Sequence, residues 1–247
     1  MSKISIVIPV LNEEETIEKL LQHLIANSSK KNIAEIIVVD GGSSDDTCEV
    51  VKAMSGRAQS RPSQDLSTAL EATIKLIHSP KGRAKQMNTG AKAATGTILY
   101  FLHADSFPPK NFDQSIITEI EQGNPAGCFR MQFRSNHWWL RLASWLTQFR
   151  WRACRGGDQS QFITKDLFNE IGGFDESYII YEDNMLINEL YARNTFVVIQ
   201  DKIKTSARCY KRNGIWRLQY HFWTIYVKKW FGATADELYA YYKKHVR

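Results

Sequence analysis

Long apolar runs, paired cysteines, glycine-rich phosphate loops and proline-rich linkers are all missing from these 247 residues. No stretch approaches the roughly eighteen consecutive apolar residues that a membrane-crossing helix needs. The opening MSKISIVIPV carries one lysine and a short apolar run but no cleavage site, and Asn-Glu-Glu-Glu follows at once. It reads as a first strand and not as a signal peptide. Cys48, Cys128, Cys154 and Cys209 are widely spaced, without a CxxC pair. That argues against a zinc site or disulfide frame and suits reduced thiols in a cytoplasmic protein. Neither GxGxxG nor a GxxxxGK followed by Ser or Thr occurs, so neither a dinucleotide site nor a P-loop is supported. No segment is rich enough in Pro or Gly to mark off an independent second domain.

What is present is ordinary in amount and uneven in placement. A hydrophobic share of 43% can build a real core, and the length suits one large domain or a domain with an appendage. The net charge of +6 divides sharply. Lys202 to Arg247 holds eleven Lys and Arg against two acids, about +9, and the first 201 residues hold 21 bases and 24 acids, about −3. A basic tail of this kind suits an anionic membrane surface, a phosphorylated acceptor or nucleic acid.

The first half alternates strand and helix patterns. Ile4 to Val10 is a β-rich run, followed by a helix with Asn12 as N-cap, Glu15 three places on, and Ile17, Leu20, Leu21, Leu24 and Ile25 at helical spacing. Ile36 to Val39 is a second strand closed by Asp40-Gly41-Gly42. Ser43 and Asp46 open a helix whose stripe is Val50, Val51 and Met54. Residues 55–68 read as a loop. A strand at 73–78, a helix at 83–94 ending at Gly96, and a strand at 97–102 come next. Short connections between such elements imply a parallel sheet with helices on both faces. The second half is less regular: a strand at 126–133, a Trp-rich helix at 138–151, a short strand, helix and Gly-Gly turn in FITKDLFNEIGGF, a helix at 183–193, a strand at 195–200, and two closing helices.

Four polar clusters fall where the parallel strands should end: PVLNEE, VDGGSSDD, SPKGRAKQMN and HADS. A common edge gathers them around one crevice, where ligands of open α/β sheets bind. Asp105, ending an apolar strand, can hold a divalent cation or simply cap the next turn of the chain. Asp40 can accept from the N–H of a base or from a ribose hydroxyl, or can serve only its own turn. Gly41 and Gly42 let a backbone approach a ligand. Lys81, Arg83 and Lys85 bring cations to the same edge, the two lysines reading best as a solvated loop.

IVIPVLNEEETI, IIVVDGGSSDDT, GRAKQMNTGAKAATG, ILYFLHADS, GDQSQFITKDLFNEIGGF and YEDNML, in that order, resemble family 2 glycosyltransferases of the GT-A fold over roughly residues 4–195. The LHADS and GDQ variants look most like a small soluble bacterial subgroup. The resemblance implies a GT-A-like α/β domain at 1–212, a mostly parallel sheet with helices on both faces, and a helical extension at 213–247 packed on it. It implies an inverting transfer of one sugar from a nucleoside-diphosphate donor, with UDP the commonest, to a hydroxyl acceptor, and the chain's amphipathic segments would suit a lipid-linked one. By that pattern Pro9, Asn12 and Glu14 line the nucleoside pocket, Asp40 binds the base, and Arg83 and Asn88 stand near base or diphosphate. Ala104 and Asp105 complete the donor side, with Asp105 and His103 at a divalent Mn²⁺ or Mg²⁺ site. His103 replaces the first acid of the family's DXD motif, and imidazole accepts Mn²⁺ more readily than Mg²⁺. Asp183 falls at the general base, with Glu182 beside it, although two acids also suit the start of a helix. Gly156, Gly157, Asp158 and Gln159 fall on the acceptor side, and Arg208 is in place for a phosphate.

Two rivals belong to other classes. A nucleotidyltransferase would carry a G-x-G-T-R-like loop where this chain has PVLNEE. A non-catalytic module binding nucleotide-sugar or nucleic acid would explain the basic tail. Nucleic acid is not the partner the resemblance implies, and the family's QxxRW signature is absent, which argues against a processive synthase. HWWLRLASWLTQFRWR and GIWRLQYHFWTIYVKKWFG are amphipathic and rich in Trp and Tyr. Trp216, Tyr220, Trp223, Val227 and Trp230 share one helical face. Such a stripe is more often core or a homodimer contact than a membrane-surface contact or a carbohydrate platform, and all four readings stand.

Overall fold

The computed structural model describes residues 2–60 and 73–246. β1 (Ile4–Val10), α1 (Glu14–Asn27), β2 (Ile33–Asp40), α2 (Thr47–Ser60), β3 (Thr73–His78), α3 (Arg83–Ala93) and β4 (Ile98–Phe101) keep the expected alternation. Then come β5 (Ser106–Phe107), α4 (Phe112–Glu121), β6 (Ala126–Phe133), α5 (Trp138–Leu146), β7 (Gln161–Thr164), α6 (Lys165–Ile171), α7 (Glu182–Ala192), β8 (Phe196–Thr205), α8 (Arg208–Asn213), α9 (Ile215–Trp230) and α10 (Ala235–His245).

One eight-stranded sheet runs β3-β2-β1-β4-β7-β6-β8-β5. Its first four strands are parallel, β7 reverses against β4 and β6, and β8 runs parallel to β6. Both faces are covered, which is why β1 and β2 are nearly continuous apolar runs. Ile6, Ile8 and Val38 pack with Leu20, Leu21 and Phe112 on one side. Val7, Ile37 and Val39 pack with Met87 and Leu186 on the other. Each such side chain contributes about 1.5–3 kcal/mol by leaving water. α3 lies so close to the sheet that a Cβ on Gly90 would come within 2.3 Å of Val7.

An acid is buried near the amino ends of these strands. Glu35 accepts from Ser5 Oγ at 2.5 Å, from Thr95 N at 2.7 Å and Oγ at 2.8 Å, and from Lys75 Nζ at 2.6 Å. Burial alone would push its carboxyl up. The bonds from Lys75, Ser5 and Thr95 outweigh that and hold it at about 2.

Several expectations need correction. Asn12 does not cap α1, whose N-cap is Glu13 without a side-chain bond. Instead its amide oxygen accepts from Ser44 N at 2.9 Å, because the chain turns there with φ 57°. Residues 55–60 continue α2, and the rest of the expected loop, through 68, lies outside the described residues. The Trp-rich helix stops at Leu146, where the Thr147 hydroxyl turns back to Ser144 O at 2.6 Å. The last strand runs on to Thr205, and three helices come after it. α4 falls outside the expected elements, although Phe112, Ile116, Ile117 and Ile120 mark its stripe.

Candidate active site

The carboxyl ends of β1, β2 and β4 and the start of α3 bring the polar clusters to one edge. At β2, burial would raise Asp40. Its bonds from Ser43 N at 3.0 Å, Gly42 N at 2.9 Å and His78 at 3.3 Å hold the carboxylate below its usual range. Asn12 N donates to Ser43 Oγ at 2.9 Å, and Asp46 N donates to Glu14 at 2.9 Å, so the two loops are laced together. Pro9 lies half-buried in β1 opposite Val39.

Across the crevice, α7 begins with Glu182 and Asp183, both buried. Arg83 Nη1, from the start of α3, stands 3.1 Å from Glu182 and 3.6 Å from Asp183. His103 Nε2 lies 3.9 Å from Asp183. Neither Glu182 oxygen has a partner in hydrogen-bonding geometry, so the contact with Arg83 is one of charge. Burial first, and the Glu182 charge second, push Asp183 up to about 7 in spite of Arg83. A helix N-terminus favours an anion by about 0.3–1 kcal/mol, which burial overrides here.

Asp105 is half-buried after β4 and faces Arg208 Nε at 3.4 Å. Arg208 also donates to Glu13 from both terminal nitrogens, Nη1 and Nη2. Burial raises the Asp105 carboxyl, Arg208 opposes, and Asp158 and Glu13 raise it further. Asp158, in a short turn at 157–159, is raised by the protein crowded around it, lowered by Arg83 and raised by Asp183. Three acids at one edge are thus shifted upward, by burial first and by neighbouring acids as well, with Arg83 and Arg208 opposing. Carboxylates with one imidazole suit a hard divalent cation, Mn²⁺ above Mg²⁺. Asp105 and His103 fit such an ion in donor type. Among the described residues, the donor atoms of Asp40, Cys48 and His78 also lie within 4.8 Å of one another. There the Cys48 thiol is pushed up by burial first and by the Asp40 charge second, and a protonated thiol is a poor metal ligand.

Asn88 and Gln159 face elsewhere. The Asn88 amide donates to Phe174 O and to Glu176 at 2.9 Å and accepts from Phe174 N at 2.9 Å, stapling α3 to the loop before α7. Gln159 donates to Cys154 O at 2.6 Å and accepts from buried Arg155 at 2.5 Å. Buried Ala104 sits between His103 and Asp105. A cavity of about 370 Å³ beside Asn88 and another of about 710 Å³ beside β6 contain none of Asp40, Asp105 and Asp183. The chemistry therefore locates the site better than the cavities do.

Sequence reasoning missed Glu13 and Gln86. Glu13 is one of three adjacent acids, with nothing to single it out. Gln86 is buried and donates to Val10 O and Val39 O, both at 2.8 Å, tying the ends of β1 and β2 beneath Gly41. A Cβ on Gly41 would meet it at 2.9 Å.

A family model described as glycosyl transferase family 2 matches residues 5–175. Glycosyltransferase AglE of Haloferax volcanii is 34% identical over 118 residues, 47% of this chain and 35% of that protein. An undecaprenyl-phosphate 4-deoxy-4-formamido-L-arabinose transferase of Sodalis glossinidius is 30% identical over 146 residues, 58% of this chain and 41% of that protein. The chain thus spans less than half the length of either relative. Among solved structures, S. aureus TarS 1–349 with UDP superposes with a TM-score of 0.63 at 17% identity, over 83% of this chain and 60% of that one. Mannosyltransferase PcManGT of Pyrobaculum calidifontis, with GDP-Man and Mn²⁺, gives 0.65 at 18%, over 91% and 60%. At such identities these two likenesses establish the fold, a mixed α/β architecture of GT-A type.

Proposed function

Since the chain belongs to glycosyl transferase family 2, we propose that it moves one sugar from a nucleoside-diphosphate donor to an acceptor hydroxyl, with inversion at the anomeric carbon. The observation that carries this reading is Asp183, a buried carboxylate raised to about 7 at the edge where Asp40, Arg83 and Asp105 gather. A base works best with a pKa near the working pH.

The nucleoside lies along Pro9, Asn12 and Glu14, with Asp40 accepting from the base. Arg83 and Arg208 neutralise the diphosphate, which competes for them with Glu182, Asp183 and Glu13. Asp183 takes the proton of the acceptor hydroxyl as its oxygen bonds to the anomeric carbon. The bond from that carbon to the diphosphate oxygen breaks on the opposite face, and its electron pair leaves with the nucleoside diphosphate. Glu182 keeps the Asp183 carboxyl basic through its charge. Asp105, with His103, would hold a divalent cation, which when bound supplies positive charge against the departing diphosphate. Gly157 and Asp158 border the acceptor side.

UDP is the first donor to try, with GDP and dTDP next, since solved neighbours carry UDP and GDP-Man. The name of the Sodalis relative supports a polyprenyl-linked acceptor. Reduced thiols and such an acceptor favour the cytoplasmic face of a membrane. Among the described residues no helix is long and apolar enough to cross one.

Calorimetric titration with UDP, GDP, dTDP and CDP, each with Mn²⁺ and with EDTA, tests the reading. One nucleotide should bind, and bind more tightly with Mn²⁺. Metal-independent binding would remove the cation from Asp105, and no binding by any nucleotide would sink the transferase reading.

A further inference from the structure

The aromatic stripe of α9 does not join the core. Trp216, Tyr220, Trp223, Val227 and Trp230 are 48% to 85% exposed, and the residues α9 buries are Leu218 and Ile225. α5 behaves alike: Trp138, Leu142 and Trp145, spaced by four and three, are 60%, 38% and 52% exposed. Ring contacts join the two helices, Trp138 to Trp216 at 5.7 Å and Trp139 to Trp216 at 5.4 Å. Trp139 also donates to Gln219 at 3.1 Å. The two exposed rows adjoin where Trp138 and Trp139 meet Trp216 and Trp223.

The charge on this face has one sign. α5 carries Arg141 and no acid, and α9 carries Arg217, Lys228 and Lys229 and no acid. At the margin, a cavity of about 710 Å³ is lined by Arg130, Arg141 and Lys202 together with Leu142 and Trp145. Arg130 Nε is buried there without a hydrogen-bond partner. A second copy of the chain, docked face to face, would set these cations against themselves. Indole rings with flanking cations instead match the boundary of a lipid bilayer, where Trp is favoured and anionic headgroups attract Lys and Arg.

We propose that the α5–α9 face docks on an anionic lipid bilayer, with its indoles at the headgroup boundary and the Arg130–Arg141–Lys202 groove receiving a lipid phosphate. The proposal stands on this surface and not on the transferase reading. Docking would hold the crevice beside the bilayer, because Tyr226 of α9 donates to Asn184, next to Asp183, at 3.2 Å.

The test is sedimentation of the full chain with vesicles of phosphatidylcholine alone and with added phosphatidylglycerol, read together with tryptophan emission. The expected result is capture by the phosphatidylglycerol vesicles with a blue shift, and weakening by salt. Trp216→Ser with Trp223→Ser should lower partitioning about tenfold or more. Arg141→Gln and Lys202→Gln, which leave every indole in place, should each lower it roughly fivefold on the anionic vesicles alone. Circular dichroism and nucleotide titration of each variant show that it is folded and keep failure of this proposal separate from failure of the transferase reading. No capture by phosphatidylglycerol vesicles at millimolar lipid would overturn the proposal. So would a dimer that the tryptophan substitutions turn into monomer, or an RNA oligomer that binds this face more tightly than vesicles do.

Discussion

At the amino end of β2, Glu35 is buried among four donors and held at about 2. Across the crevice at the carboxyl edge of the same sheet, Asp183 is also buried, has a second acid beside it, and stands at about 7. The two carboxylates share burial and a neighbouring cation. They differ in hydrogen bonds: Ser5, Thr95 and Lys75 saturate Glu35, whereas Arg83 stands 3.6 Å from Asp183 and is shared with Glu182. Desolvation raises a carboxyl and donated hydrogen bonds lower it, and their count decides which wins. One end of the sheet saturates its acid with donors, and the other leaves two buried acids sharing one guanidinium.

Replacing each acid should break that comparison in opposite ways. Asp183→Asn is expected to lower turnover about 10²–10⁴-fold while leaving the nucleotide dissociation constant within about twofold. Its melting temperature should not fall, since a buried charge is removed. Turnover within tenfold of the parent would show that Asp183 is not the base. Glu35→Ala should leave nucleotide affinity alone and destabilise by roughly 3 kcal/mol, read from urea unfolding, by stranding Lys75, Ser5 and Thr95.

The pH dependence sharpens the same contrast. Glu35 is depressed in the folded state, so its contribution, at most about 3 kcal/mol, is present above pH 4.5 and is lost as the pH falls toward 2. Asp183 is raised, so between about pH 4 and 7 the folded chain binds more protons than the unfolded one, and stability falls as pH rises through that window. Unfolding series across pH 3–8 should show Glu35→Gln flattening the acid limb and Asp183→Asn flattening the neutral one. The smallest effect is expected from Arg208→Ala. Its pairs with Glu13 and Asp105 are half-exposed, so stability should change by less than about 1 kcal/mol. A few-fold loss of nucleotide affinity, measured by titration, would be its main signature.

The parallel half of the fold was legible because β1, β2 and β4 are buried on both faces and read as unbroken apolar runs between polar clusters. The clusters at the strand ends hold Asp40, Arg83 and Asp105, which the fold gathers at one edge, whereas Asp183, implied only by the family resemblance, meets Arg83 and His103 from across the crevice. Their wiring was not legible. Asn12 reaches Ser44 and Asn88 reaches Phe174 through contacts 32 and 86 residues apart, which no local pattern encodes. β5, two residues long, has no period to detect. The α9 stripe was correctly spaced, and its exposure removes only the core reading among the four, since periodicity identifies a common face and not whether that face looks inward.

That two-residue strand has a mechanical consequence. β5 comes directly after His103-Ala104-Asp105, and its Ser106 and Phe107 pair with Thr205 and Lys204 at the end of β8. Ser106 and Thr205 also share a buried hydroxyl contact at 3.0 Å. Three residues later Arg208 opens α8, and α9 begins after Gly214. The clasp therefore leaves only Ser206 and Ala207 between β8 and the helix that carries Arg208, so the Asp105 turn and the cation facing it are hung from the same two paired residues.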